Sequence, residues 1–227
     1  MHRDCALNAF QLKLLAAALM LADHIGYLLL PELTMLRALG RLSFPLFAFM
    51  AANSYCHTRS VSRYLLRLAL FAIFFQPIYS LCMATSRLNI FATLFLGLLA
   101  ILAQDQLAAA IKGPIGLILG CLAVLPIALA AQILNTDYGF YGVALIVTAK
   151  MFYRQPLPLA GAWLAVNGLS FTGWAGLGPI QSLSLLSLPL IAAYNGKKGP
   201  GWRWFFYAFY CLHIPILYIV KLLTASG

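Results

Sequence analysis

The sequence predicts an all-α fold, a polytopic integral membrane helical bundle, and three observations indicate it. Hydrophobic residues make up 63% of the 227-residue chain, and charged residues make up only 9%. The mean hydropathy is +0.90. Soluble domains carry about 25% charged residues, so this chain has too few to cover its own surface in water. A bilayer is therefore its natural solvent, and apolar stretches long enough to cross one recur along the chain.

We count about nine such stretches, within a range of about eight to ten, separated by short polar or Pro/Gly-rich breaks. Their approximate boundaries are 8–30, 37–56, 61–84, 89–107, 113–135, 139–153, 157–173, 179–195 and 202–224. The segments 139–153 and 157–173 are short, which fits tilted or re-entrant pieces as well as full crossings. Asp23 and His24 interrupt the first stretch and no cleavage-site pattern follows, so we expect a retained helix rather than a signal peptide. No internal repeat is visible, and residues 1–227 are predicted to form one domain.

The distribution of basic residues predicts a cytoplasmic N-terminus. With that orientation, the cytoplasmic segments hold Arg3, Arg59, Arg63, Arg67, Lys112, Lys150, Arg154, Lys197, Lys198 and Arg203. The opposite side holds Arg37, Arg41, Arg87 and Lys221. Cytoplasmic loops of membrane proteins carry an excess of Lys and Arg, which accounts for the net charge of +10. A nucleic-acid partner is not expected, because no Lys/Arg-rich tail or aromatic-basic interleaving is present.

The cysteines give no sign of a metal site. Five are present, at Cys5, Cys56, Cys82, Cys121 and Cys211. None belongs to a CxxC or Cys/His pattern, and most lie in or beside apolar runs, where Cys behaves as a small hydrophobe. No metal is expected.

The first apolar stretch carries the residues that most directly indicate chemistry. Lys13 and His24 are eleven residues apart, so they lie on nearly the same helix face, about 16 Å apart along the axis. Lys13 is expected near the cytoplasmic surface and His24 deeper, with Asp23 beside it. An ionisable pair inside the hydrocarbon indicates a functional site, and His has an unperturbed pKa close to neutral, as a general base requires. Adjacent residues point about 100° apart, so Asp23 should find a partner on another helix, and Arg41 is the best candidate.

Two further groups of cations surround this stretch in the sequence. Arg41 belongs to the segment GRLSFPLFAF, in which an early Pro shapes the start of a helix. Arg59, Arg63 and Arg67 recur every four residues and are expected to form one stripe at the start of the third span. Such a stripe either contacts lipid headgroups or holds the phosphates of a nucleotide-bearing donor, and Arg67 lies deepest. Arg41 could equally extend to the interface as a structural residue.

Smaller polar islands complete the set of candidates. Asn89 opens the fourth span. Asp137 and Tyr138 lie in a turn that leads into a helix, where Asp could cap the N-terminal amides. His213 lies inside the last span, as either a packing residue or part of a site.

The order of these motifs resembles the TraX family of integral membrane proteins, which is associated with N-terminal acetylation of conjugative pilin. The resemblance rests on a Lys-x10-His spacing with Asp-His-Ile-Gly, then Gly-Arg-x-x-Phe-Pro-Leu-Phe-Ala-Phe, His-Thr-Arg, Tyr-Leu-Leu-Arg-Leu, Leu-Asn-Ile-Phe and Asp-Tyr-Gly-x-Tyr-Gly-Val. The Lys-x10-His spacing is also similar to a signature of the wider transmembrane acyltransferase group. In that group the late motif often reads Tyr-Pro-x-His, where this chain has Tyr210-Cys211-Leu212-His213.

The resemblance implies a transmembrane acetyltransferase that takes acetyl-coenzyme A (acetyl-CoA) from the cytosol. It implies His24 as base, Asp23 as its electrostatic partner, and Arg41 balancing Asp23 or polarising the carbonyl. The implied ligands of the coenzyme A phosphates are Lys13, Arg59 and Arg67. The implied acceptor is an amine, such as the N-terminus of a pilin-like protein, and the implied location is a bacterial inner membrane.

Three alternatives remain open from the sequence. The same chemistry could serve a hydroxyl acceptor on a glycan or a lipid-linked sugar. A small-molecule transporter is the second, although such proteins often contain inverted repeats that this chain lacks. The third is a structural subunit of a larger secretion or pilus machine.

Overall fold

The computed structural model describes residues 6–170 and 178–225, and this part of the chain is helical. Within it no β-strand forms, apart from two isolated bridges, Leu7 with Tyr194 and Leu88 with Thr136. The helices in chain order are α1 (Ala9–Leu28), α2 (Thr34–Gly40), α3 (Ser43–His57), α4 (Val61–Met83), α5 (Ile90–Ala110), α6 (Pro114–Ile133), α7 (Gly139–Met151), α8 (Pro156–Ser170), a 3₁₀ helix (Pro179–Leu186), α9 (Ser187–Ala192) and α10 (Arg203–Ala225).

Six of the described helical segments are long and apolar enough to cross a membrane. They are α1, α2 together with α3, α4, α5, α6 and α10. The helices α7 and Pro179–Ala192 are shorter and apolar. The all-α membrane fold is thus confirmed, whereas the count of about nine crossings and the cytoplasmic N-terminus stay predictions. The end of the predicted span 157–173, together with Arg3 and Cys5, lies outside the described residues.

Helices α3, α5 and α7 form the centre of the bundle. The side chains of Ala52, Leu98 and Leu145, one from each helix, are fully buried. The outer helices α4, α6 and α10 carry large apolar side chains that remain exposed, such as Phe74 and Leu223. Exposed apolar area on this scale is typical of a surface that faces lipid.

The contacts between distant segments define two ends of the bundle. At the first, Leu7 pairs with Tyr194, and the Asn53 side chain accepts hydrogen bonds from Tyr153 and Tyr194. We call it the Lys13 end, because Lys13 lies in the first turns of α1. At the opposite end α1 finishes, α2 begins, and the α6–α7 turn lies against the start of α5. We call it the Asp23 end.

Helix caps explain several of the boundaries. The side chain of Asn8 accepts from Gln11 N and the side chain of Gln11 accepts from Asn8 N, a capping box that starts α1. Ser60 caps α4 and Asn89 caps α5 in the same manner through their side-chain oxygens. Pro45 lies in the first turn of α3, as the sequence predicts.

The prediction that three arginines form one stripe on a helix is wrong for Arg59. Ser60 has an extended backbone, with φ −150° and ψ 102°, and α4 begins only at Val61. Arg59 therefore precedes the helix and does not share the helical phase of Arg63 and Arg67. The spacing of four residues indicates a common face only where one helix covers all of them.

Candidate active site

A cavity of about 380 Å³ opens at the Asp23 end of the bundle. Its acidic, basic and imidazole side chains come from α1, from α2 and the turn that follows it, from the residues before α5, and from the α6–α7 turn. Those residues are Asp23, His24, Arg37, Arg41, Arg87 and Asp137. The sequence singled out four of them as site residues, and the fold brings those four into one cavity.

Asp23 is held by two arginines. Arg41 Nη2 lies 2.7 Å from Asp23 Oδ1, and Arg37 Nη1 lies 2.8 Å from Asp23 Oδ2. Arg41 also donates from Nε to the Arg37 carbonyl oxygen at 3.2 Å and from Nη1 to Gln181 Oε1 at 3.4 Å. The predicted Asp23–Arg41 pair is present, and both charges of the ion pair are largely buried. Arg37 was not predicted as a site residue, although its position one helical turn before Arg41 places it on the same helix face.

Gly40 allows this ion pair to form, because its backbone packs directly against the Asp23 side chain of α1. A Cβ atom at residue 40 would overlap the Cβ, Cγ and Oδ1 atoms of Asp23. Glycine at this position therefore places the carboxylate directly against α2 and its two guanidinium groups.

His24 points away from Asp23 and toward α10, as expected for neighbours on a helix. Its Nδ1 lies 3.1 Å from Nε2 of His213, and Nδ1 of His213 lies 2.9 Å from the Phe209 carbonyl oxygen. A carbonyl oxygen only accepts, so the neutral His213 ring carries its proton on Nδ1, and its Nε2 is an acceptor. His24 then donates from Nδ1, and Nε2 of the neutral His24 ring is left unprotonated. An imidazole in this tautomer can accept a proton at Nε2.

Asp137 and Tyr138 reach the cavity from the α6–α7 turn. Tyr138 stacks on Phe44 with ring centroids 3.7 Å apart. The predicted capping of α7 by Asp137 is wrong: Gln132 Oε1 accepts from Phe140 N, and Thr136 Oγ1 accepts from Gly139 N. With those amides already satisfied, the Asp137 carboxyl is free to line the cavity, where it is hydrogen-bonded to the Tyr79 hydroxyl.

A second cavity, of about 230 Å³, extends toward the Lys13 end. Its polar lining includes Lys13, Ser54, Tyr64 and Arg67. Arg67 Nε is buried and has no hydrogen-bond partner among the described residues. A buried guanidinium N–H without a partner is costly, so this atom indicates room for an anionic or acceptor group from a ligand.

The two cavities adjoin. Phe47, Ile90 and Tyr210 line both of them, so these three side chains form the wall between the Lys13 cavity and the Asp23 cavity. Lys13 and His24 lie on opposite sides of this wall, about 16 Å apart along α1. The predicted common face of Lys13 and His24 is therefore the face that α1 turns toward the two cavities.

Two other predicted site residues lie elsewhere. Arg59 is exposed and lines neither cavity. Asn89 is fully buried, and its side chain bonds to the Ala72 carbonyl, to Gln76 and to Phe91 N, which fixes the start of α5. Among the residues that the structure describes, no group of three or more His, Cys, Asp or Glu side chains could hold a metal ion.

Comparison with known proteins gives the family. The family model described as "TraX protein" matches residues 9–221, which include every residue of both cavities. The chain belongs to the TraX family. The probable fimbrial assembly protein FimC, serogroup H1, of Dichelobacter nodosus is 30% identical over 98% of this chain and 99% of its own length. The uncharacterized protein RP591 of Rickettsia prowazekii (strain Madrid E) is 48% identical over 19% of this chain and 18% of its own length. No solved structure matches.

The structure adds residues to the site that sequence reasoning on this TraX-family chain did not select. Tyr79 and Tyr210 line the Asp23 cavity from α4 and α10, and Gln181 contacts Arg41 from the 3₁₀ helix. All three lie in apolar or weakly polar runs, where no local pattern separates a cavity residue from a packing residue. Only the packing of these helices against α1 and α2 brings them to the site.

Proposed function

We propose that this protein is a membrane-embedded acetyltransferase that moves an acetyl group from acetyl-CoA to an acceptor amine. Acetyl-CoA binds in the Lys13 cavity, and the acceptor enters the Asp23 cavity. The observation that carries the proposal is the pair of adjoining cavities, with unpartnered Arg67 Nε in one and His24 in the other.

The donor side of the proposal rests on charge and length. Lys13 and Arg67 would hold phosphates of coenzyme A, since guanidinium and ammonium groups bind phosphate oxygens through charge-assisted hydrogen bonds. The pantetheine arm would pass Phe47, Ile90 and Tyr210 and present the thioester beside His24. Its extended length is comparable to the separation of Lys13 and His24, about 16 Å. Arg59, exposed outside the cavity, would contribute to the surrounding positive potential.

The chemical step is acyl transfer with His24 as general base. The acceptor nitrogen attacks the thioester carbon, the C–N bond forms, and the C–S bond breaks. His24 Nε2 takes a proton from the attacking nitrogen and returns it to the departing thiolate. His213 keeps His24 in the required tautomer, and Arg41, fixed against Asp23, supplies positive charge near the developing oxyanion. Asp23 thus acts through Arg41 rather than through His24.

The proposal includes the membrane and the partner. The Lys13 end carries most of the described cations, namely Arg59, Arg63, Lys112, Lys150, Arg154, Lys197 and Lys198. Cytoplasmic surfaces carry such an excess, and acetyl-CoA is a cytosolic metabolite, so we orient this end to the cytosol of a bacterial inner membrane. The relative named as a fimbrial assembly protein supports a pilin-like acceptor whose N-terminus reaches the opposite side.

The test uses purified protein in nanodiscs with labelled acetyl-CoA and an amine-bearing peptide. We expect His24→Ala to lower acetyl transfer at least about a hundredfold, the usual loss of a general base. His57→Ala is the matched control, because His57 is also a helical histidine, with its Nδ1 bonded to the Asn53 carbonyl oxygen, but lines neither cavity. Equal transfer by the two variants would overturn the proposal.

A small-molecule transporter is the second candidate, and one observation favours it. Cavities that approach each other from opposite ends, separated by three side chains, are also a feature of alternating access. Flux of a solute into liposomes without turnover of acetyl-CoA would support the transporter. Turnover that depends on His24 would exclude it as the main function.

A further inference from the structure

Asp137 differs from the other acidic residues that the structure describes. Asp23 has ion pairs with two arginines, Asp105 has an ion pair with Lys150, and Glu32 is exposed to solvent. Asp137 is only partly exposed, lines the Asp23 cavity, and has no ion pair among the described residues. A carboxylate that is withdrawn from water without a cation is costly, so its position calls for a reason.

The backbone around Asp137 is fixed on both sides. Asp137 N donates to the Leu88 carbonyl at 2.9 Å, and Leu88 N donates to the Asn135 carbonyl at 3.0 Å. Asn135 turns the chain with a positive φ of 52°. These bonds tie the α6–α7 turn to the residues before α5, so the carboxyl group is held at the cavity by its main chain.

The charged and titratable groups facing Asp137 leave it without a counter-ion. They are Arg41, Arg87, Asp23, Tyr79, Tyr138 and Tyr210. Arg41 is engaged with Asp23, and Arg87 is exposed at the cavity mouth. The Tyr79 hydroxyl donates a hydrogen bond to the carboxyl, and a hydroxyl group carries no charge to balance it.

We propose that Asp137 binds the ammonium group of the acceptor and takes its first proton, which makes the Asp23 cavity a site for a primary amine. This inference rests on the proposed acetyltransferase function and deepens it by assigning the side chain that recognises the amine. Asp137 and His24 line the same cavity, so one ligand can meet both.

Proton balance explains why an amine needs both residues. An ammonium group carries three protons and the amide product carries one, so two protons must leave the nitrogen. Asp137 takes the first and releases it to water, which leaves the free amine. His24 Nε2 takes the second during attack and passes it to the thiolate. A hydroxyl acceptor loses a single proton, for which His24 alone suffices.

The position of Asp137 also suits the first transfer. Burial raises the pKa of the Asp137 carboxyl to about 6, although Arg87 and Arg41 lower it. A peptide α-ammonium has a pKa of about 8, so the transfer is unfavourable by about two pKa units. For a carboxylate with an ordinary pKa of about 4, the same proton transfer would be unfavourable by about four pKa units. Asp137 remains ionised at neutral pH and can therefore still attract the cation.

Alaninamide and lactamide form the matched probe pair, because they differ only in an amino group against a hydroxyl group. Full-length protein in nanodiscs would be assayed with acetyl-CoA and each acceptor. We expect Asp137→Asn to lower transfer to alaninamide about a hundredfold and to change transfer to lactamide less than about threefold. Glu32→Gln, an exposed carboxylate-to-amide change at the same end, should leave both reactions unchanged.

The outcomes separate this inference from the proposed function. If Asp137→Asn reduces both acceptors equally, or neither, the amine site is refuted, while a loss in His24→Ala still supports the acetyltransferase. If no variant or wild-type protein turns over acetyl-CoA, binding of the two probes decides. The amine site then requires that the wild-type protein bind alaninamide at least about tenfold more tightly than lactamide and that Asp137→Asn abolish the preference. Equal binding to the wild type would overturn it.

Discussion

Replacing Asp137 by Asn removes a carboxylate that burial in the cavity wall disfavours, and we expect the variant to be more stable than the wild type at pH 7.5. Asn has nearly the same shape as Asp and retains an oxygen that can accept the Tyr79 hydrogen bond. The main effect of the change is therefore the loss of the charge.

The magnitude follows from the pKa. Burial raises the pKa of Asp137 from 3.8 to about 6, a change of about two units. Each unit is worth 1.36 kcal/mol, so the ionised carboxylate costs about 3 kcal/mol of stability if the site is dry, and less where water enters the cavity. For a chain of this length that corresponds to at most about 6–12 °C in Tm.

The direction of the Asp137 pKa shift determines how the stability difference depends on pH. The folded-state pKa lies above the unfolded-state value, so the folded protein binds the proton more tightly. The wild type therefore bears no penalty below about pH 4 and bears the full penalty above about pH 6. The stability advantage of Asp137→Asn should appear as the pH rises through this window.

Thermal unfolding in detergent micelles between pH 4.5 and 8 measures this difference, with Glu32→Gln as the control for a surface carboxylate. A variant that is less stable than the wild type at pH 7.5 would refute the reasoning. So would an advantage that does not change with pH, because either result means that a counter-ion compensates Asp137.

Three further predictions concern the other parts of the site. His213→Phe should lower kcat at least about tenfold, change KM little and alter the pH profile of the reaction. His213→Gln should lower kcat less than His213→Phe, because a Gln side-chain oxygen can accept the hydrogen bond from His24. Arg67→Gln should raise KM for acetyl-CoA about tenfold, whereas Arg63→Gln, on the exposed side of the same helix, should change it less than about twofold. Gly40→Ala should destabilise the protein by about 1–3 kcal/mol in thermal unfolding, because the added methyl group overlaps the ion-paired carboxylate of α1; an unchanged Tm would contradict this.

Local periodicity was sufficient to predict the part of the site that one helix carries. The spacing of Lys13 and His24 predicts their common face, and adjacency predicts that Asp23 turns elsewhere. The Asp23–Arg41 pair was predictable because a carboxylate in an apolar helix needs a cation, and the next span offers one. These inferences need only the helical period and the cost of burying charge.

The contact between His24 and His213 could not be predicted from the sequence, and the reason is physical. The two residues are 189 positions apart, and their contact depends on how α10 is rotated and on how deeply it packs against α1. A single His in an apolar run carries no information on either quantity. The same limit explains Asp137, for which the local capping rule gave the wrong answer. The side chains of Gln132 and Thr136, rather than that of Asp137, accept hydrogen bonds from the first amides of α7.

Two carboxylates line the same cavity, but only one of them has ion pairs, and this difference separates a structural role from a binding role. Asp23 is neutralised by two guanidinium groups, at 2.7 and 2.8 Å, and that arrangement fastens α1 to α2. Asp137 lines the same cavity and faces two of its arginines, yet neither forms an ion pair with it. Folding alone would favour a counter-ion for Asp137, since stability increases when a buried charge is compensated. A carboxylate that remains uncompensated in the same cavity as an unprotonated imidazole nitrogen is therefore best explained by a cation that arrives with the acceptor and leaves as a neutral amide.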